Sequence, residues 1–139
     1  MSNKITATLV LEEDRNDFMF NHFKHAMMHV ENGVYTTLDK ICPDYSGGYW
    51  QFVELSNGGG YMRLETDKPT LHVACENYYE GDLSPDAASI VACLYSINRA
   101  LWARPDDENL DKHYYWLRDY ALQHVEVDGI LGAIDQTGE

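Results

Sequence analysis

Apolar and polar residues alternate at period two in two neighbouring segments in the middle of the chain. In Tyr49–Leu55, Trp50 and Phe52 fall on one face and their neighbours on the other. Tyr61–Glu65 alternates in the same way, and such alternation is typical of half-buried strands. Ser56–Gly60 lies between the two segments and is rich in Asn and Gly, which tolerate the positive φ of tight turns. The pattern therefore predicts a β-hairpin.

Apolar residues recur every three or four positions before this hairpin, which is the spacing of an amphipathic helix. We predict a first helix over Asp17–His29 and expect Gly33 to end it. A second short helix is predicted over Tyr35–Ile41, and it stops before Pro43 because the residue preceding a proline avoids helical geometry.

The clearest helix start in the chain follows the hairpin. Ser84 suits an N-cap, Pro85 suits the first helical position, and Asp86 complements the positive end of the helix dipole. A continuous apolar stripe follows this start. A further amphipathic helix is predicted around Leu110–His124, and Gly129–Ile134 is predicted as a short last helix.

Two more extended segments complete the predicted fold. Thr70–Glu76 has the composition of a third strand, and Thr6–Val10 is predicted as a short extended arm. Strands grouped in the middle, with helices before and after them, indicate an α+β fold. We expect a single domain over residues 1–139, in which a small antiparallel β-meander of about three strands packs with four to five helices.

The charge balance narrows the classes of partner. The chain has 23 acidic and 10 basic residues, for a net charge of −13. Such a protein repels nucleic acid and anionic membranes at a distance, so direct nucleic-acid binding and membrane association are not expected. Basic proteins, or neutral patches on proteins, are the expected partners.

Cysteine usage and the N-terminus indicate the cytoplasm. Cys42, Cys75 and Cys93 are odd in number, form no CxxC pair and lie in apolar stretches, as buried free thiols do. The first residues lack the apolar segment of a signal peptide, and no apolar run is long enough to cross a membrane. A catalytic Cys–His pair stays open because its members can be distant in sequence, but no G-x-S-x-G motif is present.

Three histidines, His22, His25 and His29, recur at spacings of three and four within the first predicted helix. On one helix they share a face and can hold a metal ion, so a small metal-dependent hydrolase is an alternative function. The general-base Glu of a two-histidine zinc-protease motif would fall at Ala26, which cannot accept a proton. A polar helix face is the competing interpretation, and we expect no metal, no cofactor and no catalytic residue.

Three blocks of the sequence together resemble the ArdB/KlcA antirestriction family. The blocks are Asp44–Met62, Leu83–Ala92 and His113–Ala121, with Ala133–Asp135 near the end and a weaker agreement at Asn21–Phe23. They occur in the order and spacing of the family and span most of the chain.

The resemblance implies a protein of a mobile genetic element that inhibits DNA cleavage by type I restriction–modification enzymes, with little effect on methylation. It implies neither catalysis nor a cofactor. The expected partner is the type I enzyme itself or an associated host factor, and we expect a monomer or weak homodimer. Inhibition by DNA mimicry is the alternative within this class. Duplex DNA carries one charge per about 1.7 Å, whereas ten basic residues interrupt the acids here, so simple mimicry is not predicted.

The candidates for a functional patch come from the hairpin and from the third block. They are Tyr49, Trp50, Asn57, Tyr61, Arg118 and Asp119. Arg118 and Asp119 have a second interpretation as an ion pair between elements, because most such charges are structural.

Overall fold

A computed structural model describes residues 4–135. The elements in chain order are β1 (Ala7–Leu9), α1 (Phe18–Phe23), α2 (Met27–Ile41), β2 (Tyr49–Leu55), β3 (Gly60–Glu65), β4 (Leu71–Ala74), β5 (Glu80–Leu83), α3 (Pro85–Ala103), α4 (Glu108–Leu122) and α5 (Val127–Asp135). Two 3₁₀ turns, Glu12–Asp17 and Lys24–Ala26, precede α1 and α2. The predicted α+β class is confirmed.

The strands form two small antiparallel sheets. The first has the order β1-β2-β3, and in its hairpin Tyr49 pairs with Glu65 and Glu54 pairs with Gly60. The second consists of β4 and β5 alone. The predicted third strand therefore forms over Leu71–Ala74, but it does not extend the first hairpin. It pairs with β5, which was not predicted because its sequence is polar.

Helix α3 is the centre of the hydrophobic core. Eleven of its side chains are buried, because it packs against α2, β3, α4 and α5 on different sides. Its start follows the sequence prediction. The Ser84 Oγ accepts a hydrogen bond from the N–H of Ala87 at 3.1 Å, and Pro85 occupies the first turn.

The predicted helix Asp17–His29 is interrupted, and Gly33 does not end it. The chain leaves α1 at Lys24, whose φ of 52° lies in the left-handed region, and restarts as α2 at Met27. Gly33 lies inside α2 where that helix crosses α3, since a Cβ there would be 2.2 Å from the Oγ of Ser96. Ser96 also donates to the carbonyl of Val30 at 2.6 Å. The glycine permits a close approach of two helices, which is why it is tolerated in a helix interior.

Buried side chains from all five helices and from β2 to β5 form one hydrophobic cluster. Strand β1 contributes none of them, because its three residues are all exposed. No helix within residues 4–135 is long and apolar enough to cross a membrane.

Candidate functional site

The turn of the first hairpin rests on α4. The side-chain amide of Asn57 donates to the carbonyl of Trp116 at 2.9 Å, and its Oδ1 accepts from the N–H of Gly59 at 3.1 Å. Trp116 lies close against the turn glycines, because a Cβ on Gly58 would be 3.3 Å from its indole and a Cβ on Gly59 would be 2.8 Å from its Cβ. Gly58 also has a φ of +106°. The turn residues thus attach the hairpin to α4.

A second group of polar contacts joins β3 to α3 and to the end of α4. The buried Tyr61 donates its hydroxyl proton to Asp86 Oδ1 at 2.6 Å, and His124 Nε2 lies 2.9 Å from Asp86 Oδ2. The N–H of Glu126 donates to His124 Nδ1, so the ring proton is on Nε2 and points to Asp86. Burial, and then the neighbouring Asp86, raise the pKa of Tyr61 well above its usual range.

A third group lies under Gly60. His22 Nε2 is 2.9 Å from Glu54 Oε1, and the rings of His22 and His113 are 5.1 Å apart. His113 is buried and its Nδ1 has no hydrogen-bond partner among the described residues. Burial, followed by the nearby His22 and Lys24, lowers the pKa of His113 to about 4. His113 is therefore neutral at pH 7 and belongs to the core.

The six predicted patch residues do not share one surface. Trp50 and Tyr61 are buried, and the Trp50 Nε1 donates to the hydroxyl of Tyr45 at 3.3 Å. Tyr49 is half-exposed at the end of the hairpin opposite the turn, where the Arg15 guanidinium lies 4.7 Å from its ring centroid. On α4, Arg118 is half-buried and Asp119 is exposed, and Asn57 is half-buried in the turn.

The histidine face required by the metal-dependent hydrolase alternative does not form. The interruption of the helix at Lys24 places His22 in α1, His25 in a 3₁₀ turn and His29 in α2. His22 points instead to Glu54. Within residues 4–135, no three His, Cys, Asp or Glu side chains are grouped closely enough to hold a metal ion. The premise that the three histidines share one helix face was wrong.

The cysteines and a close contact between Ser84 and Glu126 have structural roles. Cys42, Cys75 and Cys93 are buried, and burial raises the pKa of each thiol, to about 12 for Cys93. These thiols are protonated at pH 7 and are poor nucleophiles. The Ser84 hydroxyl donates to Glu126 Oε2 at 2.5 Å, but the same Oγ caps α3.

Sequence reasoning missed Asp86, His113 and His124 as members of polar networks. Asp86 has a sufficient local role at the helix start, and His124 continues the helical spacing of Leu117 and Ala121 just beyond the end of α4. Their partners Tyr61 and His22 lie at least 25 residues away in sequence. The available signal was a titratable residue on an otherwise apolar face.

The three sequence blocks meet in these contacts. Asn57 joins the first block to the third, and Tyr61 joins the first to the second. A model of the family described as Antirestriction protein matches residues 43–135, a span that includes all three blocks.

Relatives of similar length extend the match to nearly the whole chain. Two Escherichia coli proteins named Antirestriction protein KlcA are 38% and 37% identical to it over 136 and 137 residues. Each alignment covers 94% of this chain, with 95% and 94% of the relatives. Uncharacterized protein YafX of Escherichia coli (strain K12) is 35% identical over 136 residues, which is 95% of this chain and 89% of YafX.

The fold has a solved counterpart. It is a structure of the KlcA and ArdB proteins, which are described as showing a novel fold and antirestriction activity against type I DNA restriction systems in vivo but not in vitro. The match has a TM-score of 0.88 and 35% identity, and it covers 97% of this chain and 99% of that chain. This chain belongs to the antirestriction protein family.

Proposed function

We propose that this protein protects DNA from type I restriction–modification enzymes in the cell, as an inhibitor of cleavage with little effect on methylation. The observation that carries the proposal is the near-complete superposition on KlcA and ArdB, whose described activity is antirestriction against type I systems in vivo. As the sequence predicts, the proposal is for a cytoplasmic protein of a mobile genetic element that acts without catalysis or a cofactor.

The proposed target is a protein, either the type I enzyme or a host factor associated with it. The activity described for KlcA and ArdB occurs in vivo but not in vitro, which favours a mechanism that needs a cellular component beyond the purified enzyme. A net charge of −13 disfavours self-association through acidic surfaces, in keeping with a monomer or weak homodimer.

Simple DNA mimicry is not the proposed mechanism, because the acidic residues of the α3–α4 connection support the helix. Asp107 is the N-cap of α4 and accepts from the N–H of Leu110 at 3.0 Å. Glu108 and Asp111 lie in the first turn, where carboxylates complement the positive end of the helix dipole. Their placement is explained without a DNA-binding groove to occupy.

The candidate patch keeps its surface members Tyr49, Asn57, Arg118 and Asp119, with the buried Trp50 and Tyr61 as its support. Asp119 is the sharpest single test, since it is exposed on α4. An Asp119→Ala variant that keeps its melting temperature but loses protection would assign this carboxylate to the partner contact.

The function itself is tested by phage plating. Unmodified phage is plated on strains that carry a type I system, with and without the protein, and modification of the surviving phage DNA is measured. We expect restriction to be relieved by a large factor while modification remains near normal. Unchanged plating efficiency against several type I families would refute the proposal.

The mechanism is tested by neutralising the acidic turn. Asp106, Asp107 and Asp111 are changed to Asn and Glu108 to Gln, and Asn retains the N-cap because it caps about as well as Asp. We expect the variant to stay folded and to protect as the wild type does. A folded variant without protection would move DNA mimicry ahead of the proposed mechanism.

A further inference from the structure

The two edges of the three-stranded sheet differ in whether another element covers them. On the β3 side, α3 covers the edge, and its side chains meet the outward backbone groups. The N–H of Leu64 donates to Ser89 Oγ at 2.9 Å, and the N–H of Met62 donates to Cys93 Sγ at 3.4 Å. On the opposite side, β1 is the last strand, and all three of its residues are exposed.

In β1, alternate residues direct their backbone N–H and C=O groups toward β2 or away from the sheet. Val10 N–H donates to Phe52 and Thr6 accepts from Ser56, so the even-numbered residues face β2. The odd-numbered residues therefore direct their N–H and C=O outward.

At Ile5 these outward groups are satisfied by a side chain. Gln123 Nε2 donates to the Ile5 carbonyl at 2.6 Å, and its Oε1 accepts from the Ile5 N–H at 3.0 Å. The outward groups of Ala7 and Leu9 have no such partner within residues 4–135. Gln123 thus occupies the position of a neighbouring strand at Ile5, and two residues of open edge follow it.

The surface beside this open edge is acidic. A groove of about 400 Å³ runs along Thr8–Leu11 and is lined by Asp14, Asp17 and Glu54, with no basic residue in its lining. Leu9 and Leu11 are 46% and 61% exposed beside it. The groove offers carboxylates and apolar side chains to whatever pairs with β1.

We infer that β1 is a docking edge for an extended, basic segment of a partner protein, which adds to the sheet as a further strand. The segment would bond to the N–H and C=O of Ala7 and Leu9, and its Lys or Arg side chains would reach the carboxylates of the groove. A second copy of this chain fits less well, because it would bring its own acidic groove against this one. The site stands on this geometry, and only its use in antirestriction rests on the proposed function.

Binding is tested with the full chain and a defined peptide. The ¹⁵N-labelled protein is titrated with the capped heptapeptide Lys-Val-Lys-Val-Lys-Val-Lys, with the same peptide carrying Glu for Lys as control. We expect the amide signals of Ala7 and Leu9 to shift and their hydrogen exchange to slow at least tenfold with the Lys peptide only. Because opposite charges attract the peptide, salt should screen this attraction, and the Kd should rise several-fold between low and high salt.

Two variants separate strand pairing from side-chain contact. Leu9→Pro removes an outward N–H and leaves the β1–β2 hydrogen bonds in place, since proline is tolerated on an edge whose N–H faces solvent. We expect it to bind the peptide at least tenfold more weakly, while the control Leu9→Thr binds within about threefold of wild type, given that it keeps the N–H. The double variant Asp14→Asn/Asp17→Asn, which leaves the β1 backbone intact, should also weaken binding.

Several results would overturn the inference: equal binding of the Glu peptide, full binding by Leu9→Pro, or shifts confined to another face. If the wild type is a dimer and Leu9→Pro dissociates it, the partner that pairs with β1 is a second copy of this chain. Plating distinguishes the two proposals. If Leu9→Pro loses the peptide but protects fully, the edge is not the antirestriction contact. If the wild type binds the peptide but gives no protection, the proposed function fails alone.

Discussion

Replacing Asp86 by Ala tests whether this carboxylate anchors the hairpin to the helices. It accepts hydrogen bonds from Tyr61 and His124 at 2.6 and 2.9 Å. Because the N–H of Glu126 fixes the proton of His124 on Nε2, both partners are donors that need an acceptor at this point. The Asp86→Ala substitution removes the charged acceptor for both, and the hydroxyl of Tyr61, a residue that is 1% exposed, keeps only the neighbouring Tyr120 hydroxyl.

The expected loss follows from these contacts. A hydrogen bond to a charged group contributes about 1.5–3 kcal/mol, and a carboxylate in the first turn of a helix contributes about 0.3–1 kcal/mol. The Asp86 side chain is 28% exposed, so water replaces part of the lost interaction. We expect the free energy of unfolding to fall by about 3 kcal/mol and the melting temperature to fall by roughly 10 °C.

A double-mutant cycle isolates the contact between the two side chains. Tyr61→Phe removes only the hydroxyl and should cost about 1 kcal/mol. In the double variant no Tyr61 hydroxyl remains to lose its charged acceptor, so we expect the Asp86→Ala penalty to shrink by about 1–2 kcal/mol. Urea unfolding followed by circular dichroism measures all four proteins. Asp111→Ala, at an exposed carboxylate in the first turn of α4, is the control for the helix-dipole contribution.

The reasoning fails if the two substitutions are additive within about 0.5 kcal/mol, because the hydroxyl and the carboxylate would then be energetically independent. It fails equally if Asp111→Ala lowers the free energy of unfolding as much as Asp86→Ala does, since the loss of stability would then come from the helix dipole and not from the hydrogen bonds.

Three further outcomes are expected. Gly33→Ala should lower stability by about 1–3 kcal/mol through the clash with Ser96, and Ser96→Ala should recover part of that loss in the double variant, as urea unfolding would report. His113 has its pKa lowered to about 4, so the unfolded chain binds its proton first as pH falls, and up to about 3 kcal/mol of stability should be lost between pH 6.5 and 4. His113→Phe should reduce that pH dependence, and His25→Ala, at an exposed histidine, should not. Asp119→Ala should leave the melting temperature within about 2 °C, since exposed substitutions usually stay within ±0.5 kcal/mol.

The elements with local causes were predictable from the sequence. The first hairpin follows from alternation on both sides of Asn57–Gly58, and the start of α3 follows from Ser84 and Pro85. Each of these signals is contained within a few residues, so no knowledge of the rest of the chain is needed.

The elements that depend on distant contacts were not predictable in this way. Gly33 is a helix breaker by propensity, yet it lies inside α2 because α3 brings Ser96 to it. Lys24 has no feature that marks it for a positive φ, and there the first helix ends. Strand β5 has a polar sequence and forms through its pairing with β4.

The candidate site was predictable only as a set of separate residues. Asn57, Tyr61 and Trp50 are all in the hairpin, and the sequence places them there correctly. It does not tell that Tyr61 turns to Asp86 or that Trp50 is buried behind Tyr45. Burial and long-range partners decide whether an aromatic residue supports a surface or forms it.

The contacts of the three sequence blocks bear on where a partner can bind. The hydrogen bonds of Asn57, Tyr61 and Asp86 described above are made within the protein. Truncating any of these side chains should therefore lower stability before it affects recognition. Recognition needs groups that remain available, and the outward backbone groups of Ala7 and Leu9 are such groups. A partner held through backbone pairing and charge tolerates changes of individual side chains. We therefore expect protection to respond more to Leu9→Pro than to side-chain substitutions along β1.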